Sequence, residues 1–223
     1  MSYDGLDAET YKVLYKRYLQ KPVDDLLLAG GDVKGKDIID ICAGTMRLSE
    51  RAMELQCNKI WVIERCSSMI PRKYYNVADD DGKLKLSYIP VENIEYENLN
   101  VKYDMAFCQQ AINYWFGLHS LESIALRLKP GGKFIFNTFN KRPSKKPTTK
   151  IYTINGLHYC EAYQLVGEDV YHTQMCDKIP PHFTSFRWIP KSTYHDVLSK
   201  VFDKFGTITN GKTTIYVCEK NNA

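Results

Sequence analysis

The sequence lacks the long apolar run that a membrane-spanning helix requires. Its apolar stretches are about as long as a single strand and are followed by charged residues, whereas a span needs about 20 consecutive apolar residues. Residues 1–10 (MSYDGLDAET) are acidic and polar, without the basic region and apolar stretch of a secretory signal. We therefore expect a cytoplasmic protein that does not enter a membrane.

Disulfide and metal motifs are also missing. The 7 cysteines are odd in number and scattered, with no Cys-x-x-Cys spacing, so we expect reduced, packed thiols and no metal ion. A net charge of +4 on 223 residues is too small to indicate a nucleic-acid partner by itself. Tyrosine is in excess, with 16 residues. The composition is that of one globular domain, which we expect as a monomer or a homodimer.

Strands and helices alternate through the first 140 residues. Short apolar runs predict strands, and apolar residues spaced three or four apart predict helices between them. The predicted strands are 37–42, 59–64, 84–91, 103–108 and 134–139, and the predicted helices are 8–29 (interrupted at Pro22), 48–55, one beginning at 67, and 121–128. This alternation predicts an α/β fold with a mainly parallel sheet and right-handed crossovers.

The pattern changes after residue 140. Residues 141–150 (KRPSKKPTTK) hold five basic residues and no acid, which indicates an exposed linker. Beyond them, Asn155-Gly156 and residues 167–169 separate alternating segments, which predicts an antiparallel meander of three or four strands over 150–190. A predicted helix at 193–202 and a hairpin at 207–218 close the chain.

Acidic residues end the first two predicted strands, at Asp40 and Glu64. Ligands bind at the carboxyl ends of parallel strands, and an acid after the second strand commonly holds both hydroxyls of a ribose. Capping of the next helix is the alternative role for Glu64. The turn at 42–47 (CAGTMR) has one glycine, where a dinucleotide fingerprint needs three. This disfavours a nicotinamide or flavin cofactor and leaves one with a ribose but no phosphate.

These segments resemble the class I S-adenosylmethionine-dependent methyltransferases of small-molecule type. Residues 38–49 (IIDICAGTMRLS) are similar to the family's motif of an acid before a glycine-rich turn. The resemblance continues in order through Ile63-Glu64 with Met69, 103–107 (YDMAF), 128–133 (LKPGGK) and 214–220 (TIYVCEK). Cys42 and Met46 stand where the family usually has glycine, and Pro90 where an acid commonly meets the adenine.

The resemblance implies a Rossmann-like, seven-stranded, mainly parallel sheet with helices on both faces and an antiparallel last strand, plus the inserted antiparallel meander. It implies one methyltransferase domain, 1–223. Its regions would be a helical cap at 1–30, a cofactor-binding core at 31–140, a substrate-capping insertion at 150–190, and a closing helix and hairpin at 191–223.

The resemblance also implies S-adenosylmethionine as cofactor and S-adenosylhomocysteine as product. Asp40 would orient the turn and meet the cofactor's amino group directly or through water, and Glu64 would take both ribose hydroxyls. The other implied cofactor residues are Cys42, Ala43, Gly44, Thr45, Arg65, Met69, Val91, Glu92, Cys108, Gln109 and Gln110.

An acceptor must reach the methyl group as a neutral amine, or as a hydroxyl that a base deprotonates, and histidine is the usual base near neutral pH. Three histidines lie in segments that could overhang the cleft, and each could equally be structural: His119, His172 and His182. Aromatic walls suit a planar or cationic ligand. The candidate substrate residues are Tyr11, Tyr15, Tyr114 and Trp188.

We therefore predict methyl transfer to a small-molecule nitrogen or oxygen acceptor by in-line displacement. Two alternatives remain open. The basic run at 141–150 suggests RNA or protein methylation, although no aromatic residue lies within it to stack a base. The altered glycine turn suggests a protein that binds the cofactor without catalysis.

Overall fold

Buried aliphatic runs form the main sheet of the structure, a computed structural model that describes residues 7–15, 21–75, 82–97, 100–211 and 213–221. The strand β1 (Asp37–Ile41) is buried at every position, as expected for a central strand covered on both faces. The other strands of this sheet are β2 (Lys59–Ile63), β3 (Leu84–Ser87), β4 (Tyr103–Cys108), β5 (Leu128–Phe139), β10 (Lys204–Asn210) and β11 (Thr213–Glu219).

The strand order of the main sheet is β10-β11-β5-β4-β1-β2-β3. Strands β3, β2, β1, β4 and β5 pair in parallel, and β11 pairs antiparallel with both β5 and β10. This confirms the predicted seven-stranded, mainly parallel sheet with an antiparallel last strand. The strand order reverses between β1 and β4, because β2 and β3 lie on one side of β1 and β4 and β5 lie on the other. Ligands of such sheets bind at the carboxyl ends of the strands at that point.

Helices cover both faces of the sheet, as predicted. Leu26 and Leu48 pack on the side to which Ile38 of β1 points, whereas Leu121 and Leu198 pack on the side of Ile39. The helices that contribute these residues are α2 (Lys21–Gly30) and α3 (Arg47–Glu54) on the first face, and α4 (Leu118–Arg127) and α5 (Lys191–Val201) on the second. A short first helix, α1 (Ala8–Leu14), lies apart from both sets.

A second sheet confirms the predicted meander. Its four antiparallel strands run in the order β6-β7-β8-β9, and the turn between the first two, Asn155-Gly156, has a positive φ at both residues, as a two-residue hairpin turn requires. The strands are β6 (Thr148–Ile154), β7 (Leu157–Val166), β8 (Asp169–Cys176) and β9 (Ile179–Arg187). The sheet is inserted between β5 and α5.

Prolines account for two differences from the predicted elements. The strand predicted over 84–91 ends at Ser87, and after Pro90 the chain forms a 3-10 turn, Val91–Tyr96. The helix predicted from 67 is only a 3-10 turn, Ser67–Met69, because the residue before Pro71 is forced out of the helical region.

The helix predicted over 8–29 is divided into α1 and α2. Residues 1–6 of the predicted helical cap, and residues 16–20 between the two helices, lie outside the described residues. Across the described ranges, every helix is too short or too polar to cross a membrane.

Candidate active site

A cavity of about 470 Å³ lies at the carboxyl ends of β1, β2 and β4, within the size range of small-molecule sites. Its wall on the main-sheet side contains predicted residues from four loops. These are Cys42, Ala43, Gly44, Thr45, Glu64, Arg65, Met69, Val91, Glu92, Gln109 and Gln110. The other side is lined by Tyr11 of α1, by Tyr15 directly after it, and by residues of the four-stranded sheet.

The turn after β1 has the backbone that glycine normally supplies. The φ angle is 55° at Cys42, 53° at Gly44 and 61° at Met46, and a side chain in this left-handed region costs about 1–2 kcal/mol. Cys42 and Met46 are the two positions at which the motif usually has glycine. The turn therefore has a backbone that glycine adopts most readily, although Cys42 and Met46 carry side chains.

Glu64, which follows β2, fixes this turn from the neighbouring strand. Its Oε2 accepts a hydrogen bond from the backbone N–H of Gly44 (2.8 Å), and its Oε1 accepts one from the N–H of Cys66 (2.9 Å). Burial raises the pKa of Glu64, and these two N–H groups act against that rise. Each carboxylate oxygen can accept a further hydrogen bond. The wall thus presents two fixed acceptors, which suits a pair of neighbouring hydroxyls.

Asp40 lies beneath the turn, outside the cavity wall. The residue is 1% exposed, and its Oδ2 accepts hydrogen bonds from the N–H (3.1 Å) and the hydroxyl (2.6 Å) of Ser49 on α3. Burial raises the pKa of Asp40 from 3.8 to about 6, against the lowering effect of Ser49. These bonds connect Asp40 to α3, and its position outside the cavity wall gives no support to direct contact with an amino group.

The end of β4 contributes two of its three predicted residues. Gln109 and Gln110 line the cavity, and Gln110 has a φ of 56° with its N–H donating to Asn137 Oδ1 (2.7 Å). Cys108 is fully buried in the core, which corrects the prediction that it faces a ligand. Its thiol lies beside Cys42 and, with burial, holds the pKa of Cys42 well above its usual value.

A buried arginine holds the segment that carries Val91 and Glu92. The Nη2 of Arg127, on α4, donates to three backbone carbonyls between residues 94 and 97 at 2.9, 2.7 and 2.6 Å. The 3-10 turn that borders the cavity is therefore anchored to α4, a helix packed on the main sheet.

Helix α1 is attached to the four-stranded sheet through its backbone. The Tyr159 hydroxyl donates to the carbonyl of Val13 (3.0 Å), and Gln174 Nε2 donates to the carbonyl of Leu14 (3.0 Å). These bonds join the two elements that face the main sheet across the cavity, and we call α1 and the four-stranded sheet together the cap.

Tyr11 of α1 and Tyr15, directly after this helix, form part of the cavity wall. The rings of Tyr11 and Tyr15 stack with centroids 4.4 Å apart, and burial raises the pKa of Tyr11 to about 12. Tyr114 also lines the cavity, as predicted, and its ring meets Phe186 edge-on at 6.0 Å. Trp188 lies outside the wall and packs on the cluster of Leu165, Val170 and Phe186 instead.

The three candidate histidines occupy different places. His119 is on α4 with 64% of its side chain exposed and Nε2 at 3.2 Å from Glu95, so the helix turns it away from the cavity. His182 lies outside the wall with Nδ1 at 3.0 Å from the Tyr15 hydroxyl, and burial lowers its pKa to about 4. Only His172 of the three lines the cavity formed by the described residues.

His172 has a buried acid behind it that the sequence analysis did not single out. Its Nε2 is 3.3 Å from Oε1 of Glu161, which is fully buried. The Tyr163 hydroxyl donates to the same oxygen at 2.6 Å, and its ring stacks on that of His172 with centroids 4.2 Å apart. The available signal was alternation, because Tyr159, Glu161 and Tyr163 share the inward face of β7.

Arg47 is a second residue that was missed. It begins α3 directly after the turn, lines the cavity, and has its pKa lowered by burial. A guanidinium at this place can bind a carboxylate in two-point geometry.

Known structures share this architecture. A methyltransferase dependent on S-adenosylmethionine, from Clostridium acetobutylicum, is 15% identical with a TM-score of 0.70, covering 96% of this chain and 97% of that one. An amino pentose methyltransferase from Micromonospora echinaspora, solved with S-adenosylmethionine bound, is 12% identical with a TM-score of 0.69, covering 97% and 100%. The chain has the fold of the class I S-adenosylmethionine-dependent methyltransferases.

A third structure with this methyltransferase fold is the 1,6-didemethyltoxoflavin-N1-methyltransferase of Burkholderia thailandensis, with its substrate and S-adenosylhomocysteine bound. It is 13% identical with a TM-score of 0.59, and the match covers 98% of this chain and 83% of that one. No protein-family model and no curated protein sequence matches the chain. The comparison therefore rests on three-dimensional structure.

Proposed function

We propose that the protein is an S-adenosylmethionine-dependent methyltransferase that transfers the methyl group to a nitrogen or oxygen atom of a small molecule. The observation that carries the proposal is Glu64, held by the N–H groups of Gly44 and Cys66 at the cavity wall. It offers two fixed acceptors beside a turn that keeps its glycine-like backbone at Cys42 and Met46. The shared fold supports this assignment.

The residues present fit the cofactor. Glu64 would bind the two ribose hydroxyls, and Met69 and Val91 would pack on either side of the adenine. Arg47, at the start of α3, would bind the methionine carboxylate. The backbone of Ala43 and Gly44, which lies in the cavity wall, would pass the methionine chain.

When bound, S-adenosylmethionine would supply a methyl carbon activated by a positive sulfur. The protein's own task is then to align the acceptor and exclude water. The cap closes the cavity with Tyr11, Tyr15, Tyr163 and Phe186, which places aromatic surface where the acceptor would enter. In this proposal residues 31–140 hold the cofactor, and the cap selects the acceptor.

The cofactor half is tested by calorimetric titration with S-adenosylmethionine. Glu64→Gln replaces one carboxylate oxygen with an N–H₂ group, which then faces a backbone N–H. The hydrogen bonds from the two ribose hydroxyls to the charged Glu64 would together contribute about 3 kcal/mol, or about 100-fold in Kd. Glu54→Gln, on the exposed side of α3, is the matched control and should bind like the parent. Equal affinity in the Glu64 variant would defeat the proposed site.

The acceptor half is tested with methyl-labelled cofactor and a cell extract that is afterwards separated into small molecules, RNA and protein. We expect label in the small-molecule fraction with the parent, and none with Glu64→Gln. Label in RNA or protein alone would favour the macromolecular alternative. Cofactor binding without any labelled product would favour the non-catalytic one.

A further inference from the structure

Glu161 is a buried acid that the cofactor site does not use. It lies on β7 in the four-stranded sheet, fully buried behind the cavity wall. Burial of a carboxylate is costly unless partners compensate it. The partners here are the Tyr163 hydroxyl at 2.6 Å and the His172 ring nitrogen at 3.3 Å, both on the same oxygen.

His172 connects this acid to the cavity. A carboxylate beside Nε2 favours the proton on that nitrogen, because two facing lone pairs would repel each other. In the neutral ring the other nitrogen, Nδ1, is then an acceptor. Since His172 lines the cavity, the structure combines a cavity-side imidazole with a buried carboxyl group 3.3 Å behind its Nε2, a nitrogen that has no other hydrogen-bond partner among the described residues.

Several titratable groups surround His172. Glu161 and Tyr163 face the His172 ring from β7, and His182 faces it from β9. The ring of Tyr15, directly after α1, lies 6.1 Å from that of His172. Burial, and repulsion from His172, lower the pKa of His182 to about 4. His182 therefore stays neutral near pH 7 and adds no positive charge beside Glu161 and His172.

Aromatic faces and charged groups of both signs share the surrounding wall. The stacked rings of Tyr11 and Tyr15 line this part of the cavity, and aromatic faces attract positive charge. The guanidinium of Arg187, which also lines the cavity, is paired with Glu168 at 2.6 Å.

We infer that Glu161, His172 and Tyr163 form a subsite for a cationic amine acceptor, from which Nδ1 of His172 takes a proton. The inference rests on the proposed methyl transfer and assigns the class of its acceptor. An ammonium gives one proton to Nδ1, and the freed nitrogen lone pair forms the new bond to the methyl carbon. The carbon–sulfur bond breaks with its electron pair left on sulfur. The product is a methylated ammonium, and the imidazolium returns its proton to water.

The first test reads the tautomer and does not depend on methyl transfer. Long-range ¹H–¹⁵N spectra at pH 8 report which ring nitrogen carries the proton, and His172→Asn identifies the signals of His172. We expect the proton on Nε2 in the parent and a mixture of tautomers in Glu161→Gln. Tyr163→Phe, which leaves the charge of Glu161 in place, should keep the parent tautomer. A proton on Nδ1 in the parent would overturn the inference.

The second test compares benzylamine with benzyl alcohol as probes of the protein saturated with S-adenosylhomocysteine. A paired charge against an aromatic wall is worth about 1.4 kcal/mol or more, so calorimetry should show benzylamine binding about tenfold tighter or better. The preference should be lost in Glu161→Gln and kept in His182→Asn. Equal binding of the two probes to the parent, or an unchanged preference in Glu161→Gln, would overturn the inference.

The experiments distinguish failure of the proposed function from failure of the amine subsite. If S-adenosylhomocysteine itself does not bind, the proposed function fails, and the amine loses its role as acceptor while the tautomer result still stands. If it binds and the amine preference is absent, the cofactor site stands and only the amine subsite is rejected.

Discussion

Asp40 provides the clearest link between the site and the stability of the chain. Burial raises its pKa from 3.8 to about 6, so the folded state keeps a proton on this carboxyl in a pH range where the unfolded chain has released it. Folding is therefore favoured at low pH, and this contribution is lost as the pH rises through 6. At neutral pH the protein must hold a buried carboxylate whose supporting bonds come from Ser49.

Asp40→Asn removes the charge and keeps an oxygen to accept from Ser49. With about 1.4 kcal/mol for each pH unit between the two pKa values, the parent's cost is roughly 3 kcal/mol at pH 7.5 and roughly half of that at pH 5. The N–H₂ group of the asparagine affects stability equally at both pH values. The advantage of the variant should thus be roughly 1–2 kcal/mol larger at pH 7.5, which corresponds to a difference of a few degrees in Tm for a chain of this size.

Urea unfolding of parent and variant at the two pH values measures this difference directly. Ser49→Ala serves as the control, because it removes the hydroxyl hydrogen bond that favours the ionised form and should destabilise the protein more at pH 7.5 than at pH 5. If Asp40→Asn changes the free energy of unfolding by the same amount at both pH values, Asp40 does not titrate as a buried carboxyl and the argument fails.

Three other substitutions test separate parts of the structure. Because Cys42 has a φ of 55°, Cys42→Val should lower the free energy of unfolding by about 1–2 kcal/mol relative to Cys42→Gly in urea titrations; equal stability of the two would contradict the strained turn. Arg127→Leu leaves three carbonyls without their donor and should lower the free energy of unfolding by about 3 kcal/mol or more. It should also speed hydrogen exchange of the Asn93 N–H, which donates to the Pro90 carbonyl in the same segment; unchanged exchange there would show that Arg127 does not hold the segment. The folded state keeps His182 neutral down to about pH 4, whereas the histidine of the unfolded chain takes a proton below about pH 6.5. The free energy of unfolding of the parent should therefore fall as the pH falls from 6.5 towards 4, and that of His182→Asn should fall less. Parallel curves of the two proteins against pH would show that His182 is not held neutral.

The sheet was predictable because its signals are local. Strand β1 is an uninterrupted buried run, and Glu64 follows the next strand, so the edge that carries the site could be inferred from strand order alone. The turn was harder to judge, because Cys42 and Met46 stand where the motif usually has glycine, and neither residue type predicts a positive φ. That geometry depends on the packing of Met46 in the core and on the bond from Gly44 to Glu64.

The cap shows what local patterns do not contain. Which of the three candidate histidines reaches the cavity is decided by the twist of the inserted sheet and by the docking of α1, two long-range effects. His172 and His182 both lie in that sheet, yet only His172 stacks on Tyr163 beside Glu161. An acid between two tyrosines on the inward face of β7 was visible in the alternation, but its partner on β8 was set by the register of the two strands.

The central claim is that Glu64 binds the two ribose hydroxyls of the cofactor. The most direct measurement is the affinity of the parent and of Glu64→Gln for S-adenosylhomocysteine and for its 2′-deoxy analogue. In the parent, loss of one hydroxyl bond to a charged group should weaken binding by about tenfold or more. In Glu64→Gln the same loss should cost little, because the bond is already broken. An equal penalty for the deoxy analogue in both proteins would show that the hydroxyls bind elsewhere and would contradict the account.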